Sequence, residues 1–140
     1  MMFVLDTNIL SAMMKLGPEP EVAAWMAGQD EVLLFTTTIS YAEIFAGLAV
    51  MADGRRRRAL EDAARVMFEE FDGRVLPFDI DAASAYAELF AARQRAGRPT
   101  ATLDLMIAAI ARCHDAGVVT RDIGGFEECG LTLINPWEVV

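Results

Sequence analysis

The sequence has 140 residues, of which 54% are hydrophobic, and its formal net charge at pH 7 is −9. These values predict one globular domain over residues 1–140, and they argue against a broadly basic nucleic-acid-binding surface. No apolar run reaches the roughly 18 residues of a membrane span, and the acidic N-terminal segment is not typical of a signal peptide. Two cysteines and one histidine indicate neither a disulfide framework nor a zinc site, so we expect a cytoplasmic protein with reduced thiols.

Strand and helix patterns alternate along the chain. The strands are predicted at 2–6, 32–38, 74–78, 118–122 and 131–136. The helices are predicted at 7–16, 17–29, 39–52, 54–71, 79–97 and 100–117. Thr7 and Asp79 are the expected N-caps of their helices, and Pro77 ends the third strand. Gly97 and Gly117 are expected to stop the helices that precede them.

This alternation predicts an α/β fold. Strands that alternate with helices need crossover connections, and these produce a parallel sheet with helices on both faces. We therefore expect a parallel sheet of four to five strands, flanked by helices on both faces.

Four acidic residues fall near the ends of strands or the starts of helices. Asp6 ends the first strand, and Asp122 follows a late strand. Glu43 lies early in the helix after the second strand, and Asp104 lies in the first turn of a helix. Ligands of open α/β sheets bind at the carboxyl ends of the strands. The four positions therefore allow one shared acidic site at that edge.

Clustered carboxylates without histidine or cysteine favour a hard divalent cation. Like charges held close together are unfavourable unless they share protons or a cation neutralises them. Mg²⁺ and Mn²⁺ prefer oxygen ligands, and they orient and activate water for phosphoryl chemistry. Taken singly, each acid also fits a plainer role as a cap, a turn residue or a complement to a helix dipole.

A resemblance to a known family rests on four segments. In chain order they are FVLDTNIL (3–10), TTTISYAEIFAGL (36–48), TATLDLMIAAIA (100–111) and GVVTRDIGGFEECGLTLINPW (117–137). In this order and spacing the sequence resembles the PIN-domain endoribonucleases of the VapC toxin type, and its C-terminal segment resembles the FitB-like members most closely. The resemblance implies a PIN-like fold and a ribonuclease that depends on Mg²⁺ or Mn²⁺.

The resemblance also implies a site. The acidic tetrad of the family falls on Asp6, Glu43, Asp104 and Asp122, and the supporting polar positions fall on Thr7, Asn8 and Thr120. In this reading Asp6 and Asp104 bind the metal directly, whereas Glu43 and Asp122 act through metal-bound waters. The expected products carry a 5′-phosphate and a 3′-hydroxyl. One departure concerns the loop after Asp122, where the next acid is Glu127.

Partners follow from the same resemblance. Proteins of this type act on RNA, form homodimers and are held inactive by a cognate VapB-like antitoxin. DNA is expected to be bound only indirectly, through the antitoxin. No membrane association is expected.

One basic cluster, Arg55–Arg58, begins a predicted helix. Four cations in a first helical turn oppose the helix dipole, which makes a partner such as RNA phosphate or an acidic protein surface plausible. A solvated helix start is the plainer alternative.

Two other functions are compatible with part of the pattern. A phosphotransfer domain also places aspartate on a parallel sheet, but a phosphatase of that kind needs a second aspartate where Asn8 stands. A receiver domain needs a late lysine, and the single lysine is Lys15. The other alternative is a catalytically silent PIN-fold module that acts through antitoxin or dimer contacts.

Overall fold

The computed structural model describes residues 1–15, 17 and 19–138. The strands in this part of the chain are β1 Phe3–Leu5, β2 Leu34–Thr37, β3 Val75–Leu76, β4 Gly117–Val119 and β5 Leu133–Ile134. The helices are α1 Thr7–Met13, α2 Pro20–Ala27, α3 Thr38–Ala49, α4 Arg55–Glu70, α5 Ile80–Arg95 and α6 Thr102–Cys113. No helix in the described ranges combines the length and apolar character that crossing a bilayer requires.

The strands form one parallel sheet in the order β3-β2-β1-β4-β5. Strand β1 is central: Phe3 pairs with Leu34 of β2 on one side and with Gly117 of β4 on the other. The chain builds outward from β1 in one direction and then crosses to the opposite side. Where the strand order reverses in this way, a crevice opens at the carboxyl ends of the central strands. A binding site is therefore expected where β1 and β4 end.

Helices cover both faces of this sheet, as predicted. Successive strand side chains point to opposite faces, and β1 and β4 are apolar on both. Val4 and Val118 are fully buried against one layer, which contains α5 and α6. Leu5 and Val119 are fully buried against the other layer, which contains α1, α3 and α4. The parallel five-stranded α/β prediction is therefore confirmed.

Several predicted helix ends differ from the observed ones. Asp6, rather than Thr7, caps α1, because the Asp6 carboxylate accepts a hydrogen bond from the Thr7 backbone N–H at 2.7 Å. Helix α1 ends at Met13, and its predicted end, Leu16, lies outside the described residues. Pro18, in the predicted second helix, also lies outside them. The other predicted cap is confirmed, since the Asp79 carboxylate accepts from the Ala82 N–H at 3.0 Å.

The end of α6 also differs from the prediction. The helix ends at Cys113, and Gly117 is the first residue of β4 rather than a helix stop. A Cβ at Gly117 would lie 3.0 Å from the Phe3 ring, so this glycine permits close contact with β1. Both cysteines are free; Cys113 is exposed, whereas Cys129 is buried.

Candidate active site

The four acids predicted from the sequence line one cleft of about 460 Å³ at the carboxyl edge of the sheet. Asp6, Glu43, Asp104 and Asp122 are separated by up to 116 residues in sequence, and the crossover topology brings them to the same place. Among the three polar positions that were expected to support them, Thr7 and Asn8 line the cleft as well.

Asp6 is held at the junction of β1 and α1. Its side chain is almost fully buried, with 4% of its surface exposed. One carboxylate oxygen accepts from the Thr7 N–H at 2.7 Å, and the other accepts from the Thr120 hydroxyl at 2.8 Å. Burial is the main cause that raises the pKa of Asp6, and the nearby charges of Glu43 and Asp122 add to it, while the two hydrogen bonds act in the opposite direction.

Asp104 lies in the first turn of α6 and is partly buried. Its pKa is raised to about 6, first by burial and then by the negative charges of Asp6 and Asp122. A helix N-terminus stabilises a negative charge and would lower this pKa. Burial and the neighbouring carboxylates act in the opposite direction and raise the pKa of Asp104.

Glu43 reaches the cleft from α3. Thr37 ends β2 and caps α3, because its hydroxyl accepts from the Ser40 N–H at 3.1 Å. The Glu43 carboxylate accepts from the Thr7 hydroxyl at 2.8 Å, and that hydroxyl lies 2.9 Å from the Ser40 hydroxyl. The start of α1 therefore holds Glu43 in place.

Asp122 caps a short 3₁₀ turn over Ile123–Gly125. Its carboxylate accepts from the Gly125 N–H at 3.2 Å. A Cβ built on Gly125 would lie 2.9 Å from an oxygen of Asp122 and 3.5 Å from an oxygen of Asp104. Both carboxylates thus face the same glycine, which leaves them room to approach each other.

Thr120 and Asn8 connect the ends of β1 and β4. Besides donating to Asp6, the fully buried Thr120 hydroxyl accepts from the Asp122 N–H at 3.0 Å. The Asn8 amide contacts the same hydroxyl at 3.4 Å, and its carbonyl oxygen accepts from the Arg121 N–H at 3.2 Å. These bonds fix the acids of the two strands relative to each other.

The donor set of the cleft suits a hard divalent cation. Within residues 1–15, 17 and 19–138, no three acidic, histidine or cysteine side chains form a ready-made ligand group. The four cleft acids nevertheless offer only carboxylate oxygens, the donors that Mg²⁺ and Mn²⁺ prefer. The raised pKa values of Asp6 and Asp104 reflect burial and repulsion that a bound cation would offset. By this chemistry the residues fit such an ion.

The alternative acid, Glu127, is directed elsewhere. Its carboxylate pairs with Arg98 at 3.0 Å, and it does not line the cleft. Asp122 is therefore the acid that this loop contributes.

Arg55–Arg58 lie outside the lining of the acidic cleft, at the start of α4. Arg57 pairs with Glu61 at 2.8 Å, and Arg58 lies 3.8 Å from Asp53. Arg55 and Arg56 are exposed, and Arg56 lines an apolar groove that adjoins the cleft at Thr7 and Glu43. A contact between this cluster and RNA or a partner stays a prediction.

Sequence reasoning did not assign six further lining residues of the cleft to the site: Ser11, Ala12, Lys15, Glu19, Arg121 and Trp137. From the sequence alone, Asp122 after Arg121 also fits a surface turn residue that forms a weak ion pair with Arg121. Instead, its guanidinium carbon lies 4.6 Å from the centroid of the Trp137 ring. The one sequence signal that Arg121 belongs to the site is its position between Thr120 and Asp122.

Comparisons with known proteins agree with this geometry. The family model described as "PIN domain" matches residues 3–130. The chain is 41% identical to "VapC ribonuclease Y4jK" of Sinorhizobium fredii over 98% of this chain and 99% of that protein. It is 34% identical to "Toxin FitB" of Neisseria gonorrhoeae over 97% and 99% of the two chains. A solved structure of FitAB bound to an IR36 DNA fragment matches with a TM-score of 0.91 and 32% identity, covering 99% and 98% of the two chains.

Proposed function

Because the chain belongs to the PIN domain family, in the group that contains a VapC ribonuclease and the toxin FitB, we propose that it is an endoribonuclease toxin that depends on Mg²⁺ or Mn²⁺. One observation supports this most strongly: four carboxylates line a single cleft where β1 and β4 end, and the pKa values of two of them are raised. Carboxylates in this state are suited to bind a hard cation beside a phosphodiester.

Asp6 and Asp104 are the residues that would hold the ion, since burial and neighbouring carboxylates raise the pKa values of both. When bound, the ion would orient the phosphodiester, neutralise developing charge and make a water more acidic. Glu43 and Asp122 orient the attacking water and accept its proton. Attack by water at phosphorus, with the 3′-oxygen leaving, yields a 5′-phosphate and a 3′-hydroxyl.

Thr7 and Thr120 support these roles without reacting themselves. Thr7 donates its N–H to Asp6 and its hydroxyl to Glu43, so one residue holds two acids. Thr120 donates to Asp6 and accepts from the Asp122 backbone. Asn8, where a phosphatase of the haloacid-dehalogenase type would need an aspartate, instead binds Thr120 and Arg121. This arrangement favours the nuclease over a phosphotransfer domain.

The proposal includes partners. One relative is named toxin FitB, and a similar solved structure is titled FitAB bound to a DNA fragment. We propose that this chain likewise forms a homodimer, is inhibited by a VapB-like antitoxin and reaches DNA only through that antitoxin. Its RNA substrate implies a cytoplasmic location.

The test is cleavage of total cellular RNA by the purified, antitoxin-free protein. We expect discrete fragments with Mg²⁺ or Mn²⁺ and none after EDTA treatment. Asp6→Asn should lower the rate by at least about 100-fold, because it removes a charged ligand. The matched control is Asp79→Asn, which changes the N-cap of α5 and leaves the cleft intact.

Circular dichroism must show that both variants are folded. Cleavage by folded Asp6→Asn at the wild-type rate would refute the site assignment. If folded wild-type protein cleaves no RNA with either metal, the silent PIN-fold binding module becomes the better explanation.

A further inference from the structure

We propose that Arg121, held in place by Trp137, is an RNA-binding residue that contacts the phosphate backbone next to the scissile phosphodiester. The inference rests on the proposed nuclease function and adds a residue that binds the RNA substrate. It follows from the position, the orientation and the available charge of the Arg121 side chain.

The backbone of Arg121 is fixed beside the acids. Its N–H donates to the Asn8 side chain at 3.2 Å, and its carbonyl accepts from the Asn135 side chain at 3.4 Å. The Asn135 side chain also accepts from the Trp137 N–H at 3.0 Å. Asn135 therefore links Arg121 to Trp137. Arg121 itself directly follows the buried Thr120 in the sequence.

The Trp137 ring orients the guanidinium. The distance from the guanidinium carbon to the ring centroid is 4.6 Å, which is within the range of a cation–π interaction. The indole N–H donates to the Glu19 carboxylate, and the ring packs against the hydrophobic layer around Leu5 and Val119. Because Trp137 is anchored in this way, it acts as a support rather than as a free stacking surface.

The guanidinium keeps its capacity to bind an anion. Across the part of the chain that the structure describes, Arg57, Arg65 and Arg98 each pair with carboxylates, whereas the Arg121 side chain makes no ion pair and donates no hydrogen bond. The missing ion pair is notable, because Arg121 is next to Asp122 in the sequence and lines the acidic cleft. An arginine held by an indole instead of a neighbouring acid retains its planar set of N–H donors.

The chemistry of the cleft indicates which anion would bind. An anion at Arg121 lies beside the carboxylates that line the cleft, Glu19 included, so it must be one that a metal-loaded acidic site attracts, as a phosphodiester is. Guanidinium groups match phosphate oxygens in a bidentate geometry. Lys15 lines the same cleft, and the volume of about 460 Å³ falls within the range of small-molecule pockets. We therefore expect Arg121 to contact a phosphate of the RNA strand.

The test measures binding separately from cleavage. The probe is a short, fluorescein-labelled single-stranded RNA of mixed sequence, and the protein carries Glu43→Gln, which removes a proposed proton acceptor but neither proposed metal ligand, so that the RNA stays intact. In Mg²⁺ buffer, adding Arg121→Gln should weaken binding about tenfold, and it should make the salt dependence of log K shallower by roughly 0.7, the value for one phosphate contact on a single strand.

Two further variants separate contact from support. Arg95→Gln removes the same charge from the exposed end of α5 and should leave affinity and salt slope unchanged. Trp137→Leu keeps the charge but removes the support, so it should weaken binding while the salt slope stays the same. Circular dichroism confirms that each variant is folded.

Three outcomes would overturn the proposal. Unchanged affinity and salt slope in Arg121→Gln would show that Arg121 does not contact RNA. An effect confined to binding of a co-expressed antitoxin would identify Arg121 as a protein contact instead. Absence of any RNA binding by the Glu43→Gln protein in Mg²⁺ buffer would also refute it. If binding depends on Arg121 but the wild-type protein cleaves nothing, the nuclease function fails while the contact stands.

Discussion

Asp6 connects a helix cap and a neighbouring strand end through one side chain. One of its oxygens caps α1 through Thr7, and the other accepts from Thr120 of the neighbouring strand end. A capping aspartate on a protein surface is stabilised as an anion, whereas the pKa of Asp6 is raised by burial. A cap alone does not require burial, and the buried carboxylate is consistent with the metal-binding role proposed for Asp6.

Gly125 leaves room for the Asp122 and Asp104 carboxylates because it has no side chain. In Gly125→Ala, the added Cβ would lie 2.9 Å from an Asp122 oxygen, so Asp122 must move. We expect RNA cleavage to fall on the order of 100-fold, since a shift of about 1 Å in a catalytic group can have that effect. The fold should persist, because Gly125 is not among the glycines with a positive φ.

Gly124→Ala is the matched control in the same turn. Its Cβ would lie 3.8 Å from Asp122, which is ordinary van der Waals contact. Cleavage rates measured under single-turnover conditions should separate the two variants. Equal activity in both would show that the position of Asp122 is not critical.

The raised pKa of Asp104 predicts that the stability of the protein decreases as pH rises. Its pKa of about 6 in the folded chain exceeds its ordinary value of 3.8, so the folded state binds more protons between about pH 4 and pH 6. The stability that this proton provides is lost as pH rises through that window. In EDTA, Asp104→Asn should therefore raise Tm at about pH 8 and have little effect near pH 4.

Asp81→Asn is a suitable comparison, because Asp81 is an exposed acid in the first turn of α5. It should give no increase in Tm at either pH. Thermal melts of the two variants and the wild type would check this. An Asp104→Asn protein that is less stable than wild type at pH 8 would contradict the assigned burial and repulsion.

At the scale of elements, α4 begins unfavourably. Its first turn consists of Arg55–Arg58, and the N-cap Gly54 provides no side-chain hydrogen bond. Cations at a helix N-terminus oppose the dipole. Arg57 and Arg58 are partly compensated by Glu61 and Asp53.

Arg55→Glu should stabilise the protein by about 0.3–1 kcal/mol, because it places an anion at the positive end of α4. The control is Arg95→Glu, which changes the charge equally but at the C-terminal end of α5, where it should destabilise. Urea unfolding of both variants at low salt gives the two free energies. The same sign for both changes would exclude the helix dipole as the cause.

At the scale of the whole molecule, the charge restricts how RNA can bind. With a net charge of −9, the surface as a whole repels a polyanion. The cations that line the cleft are Lys15 and Arg121, among the residues the structure describes. Binding should therefore depend on few phosphate contacts.

A small number of phosphate contacts predicts that the affinity for RNA depends only weakly on salt concentration. About two phosphate contacts on a single strand give a slope of log K against log salt of roughly −1.4. Fluorescence anisotropy of the Glu43→Gln protein over a KCl series in Mg²⁺ buffer measures the slope. A slope steeper than about −3 would indicate a wider basic surface, for which Arg55–Arg58 are the available residues.

Much of the fold and of the site could be predicted from local patterns. Hydrophobic periodicity and turn residues are local properties, so the alternation of strands and helices and the cap at Asp79 follow from the sequence. The acids at the ends of β1 and β4 also follow, because the carboxyl edge of a parallel sheet is where ligands bind. Motif order then indicated the family that the comparisons show.

Other features required the tertiary structure. The strand order, which places Thr120 beside Asp6, depends on how the crossovers pack, and no local pattern encodes it. The contact of Arg121 with Trp137 likewise joins residues on separate strand ends. The raised pKa of Asp104 arises from burial and from acids distant in sequence. The sequence by itself thus determined which groups are present and near which strand ends, whereas packing decided which of them meet and how they are charged.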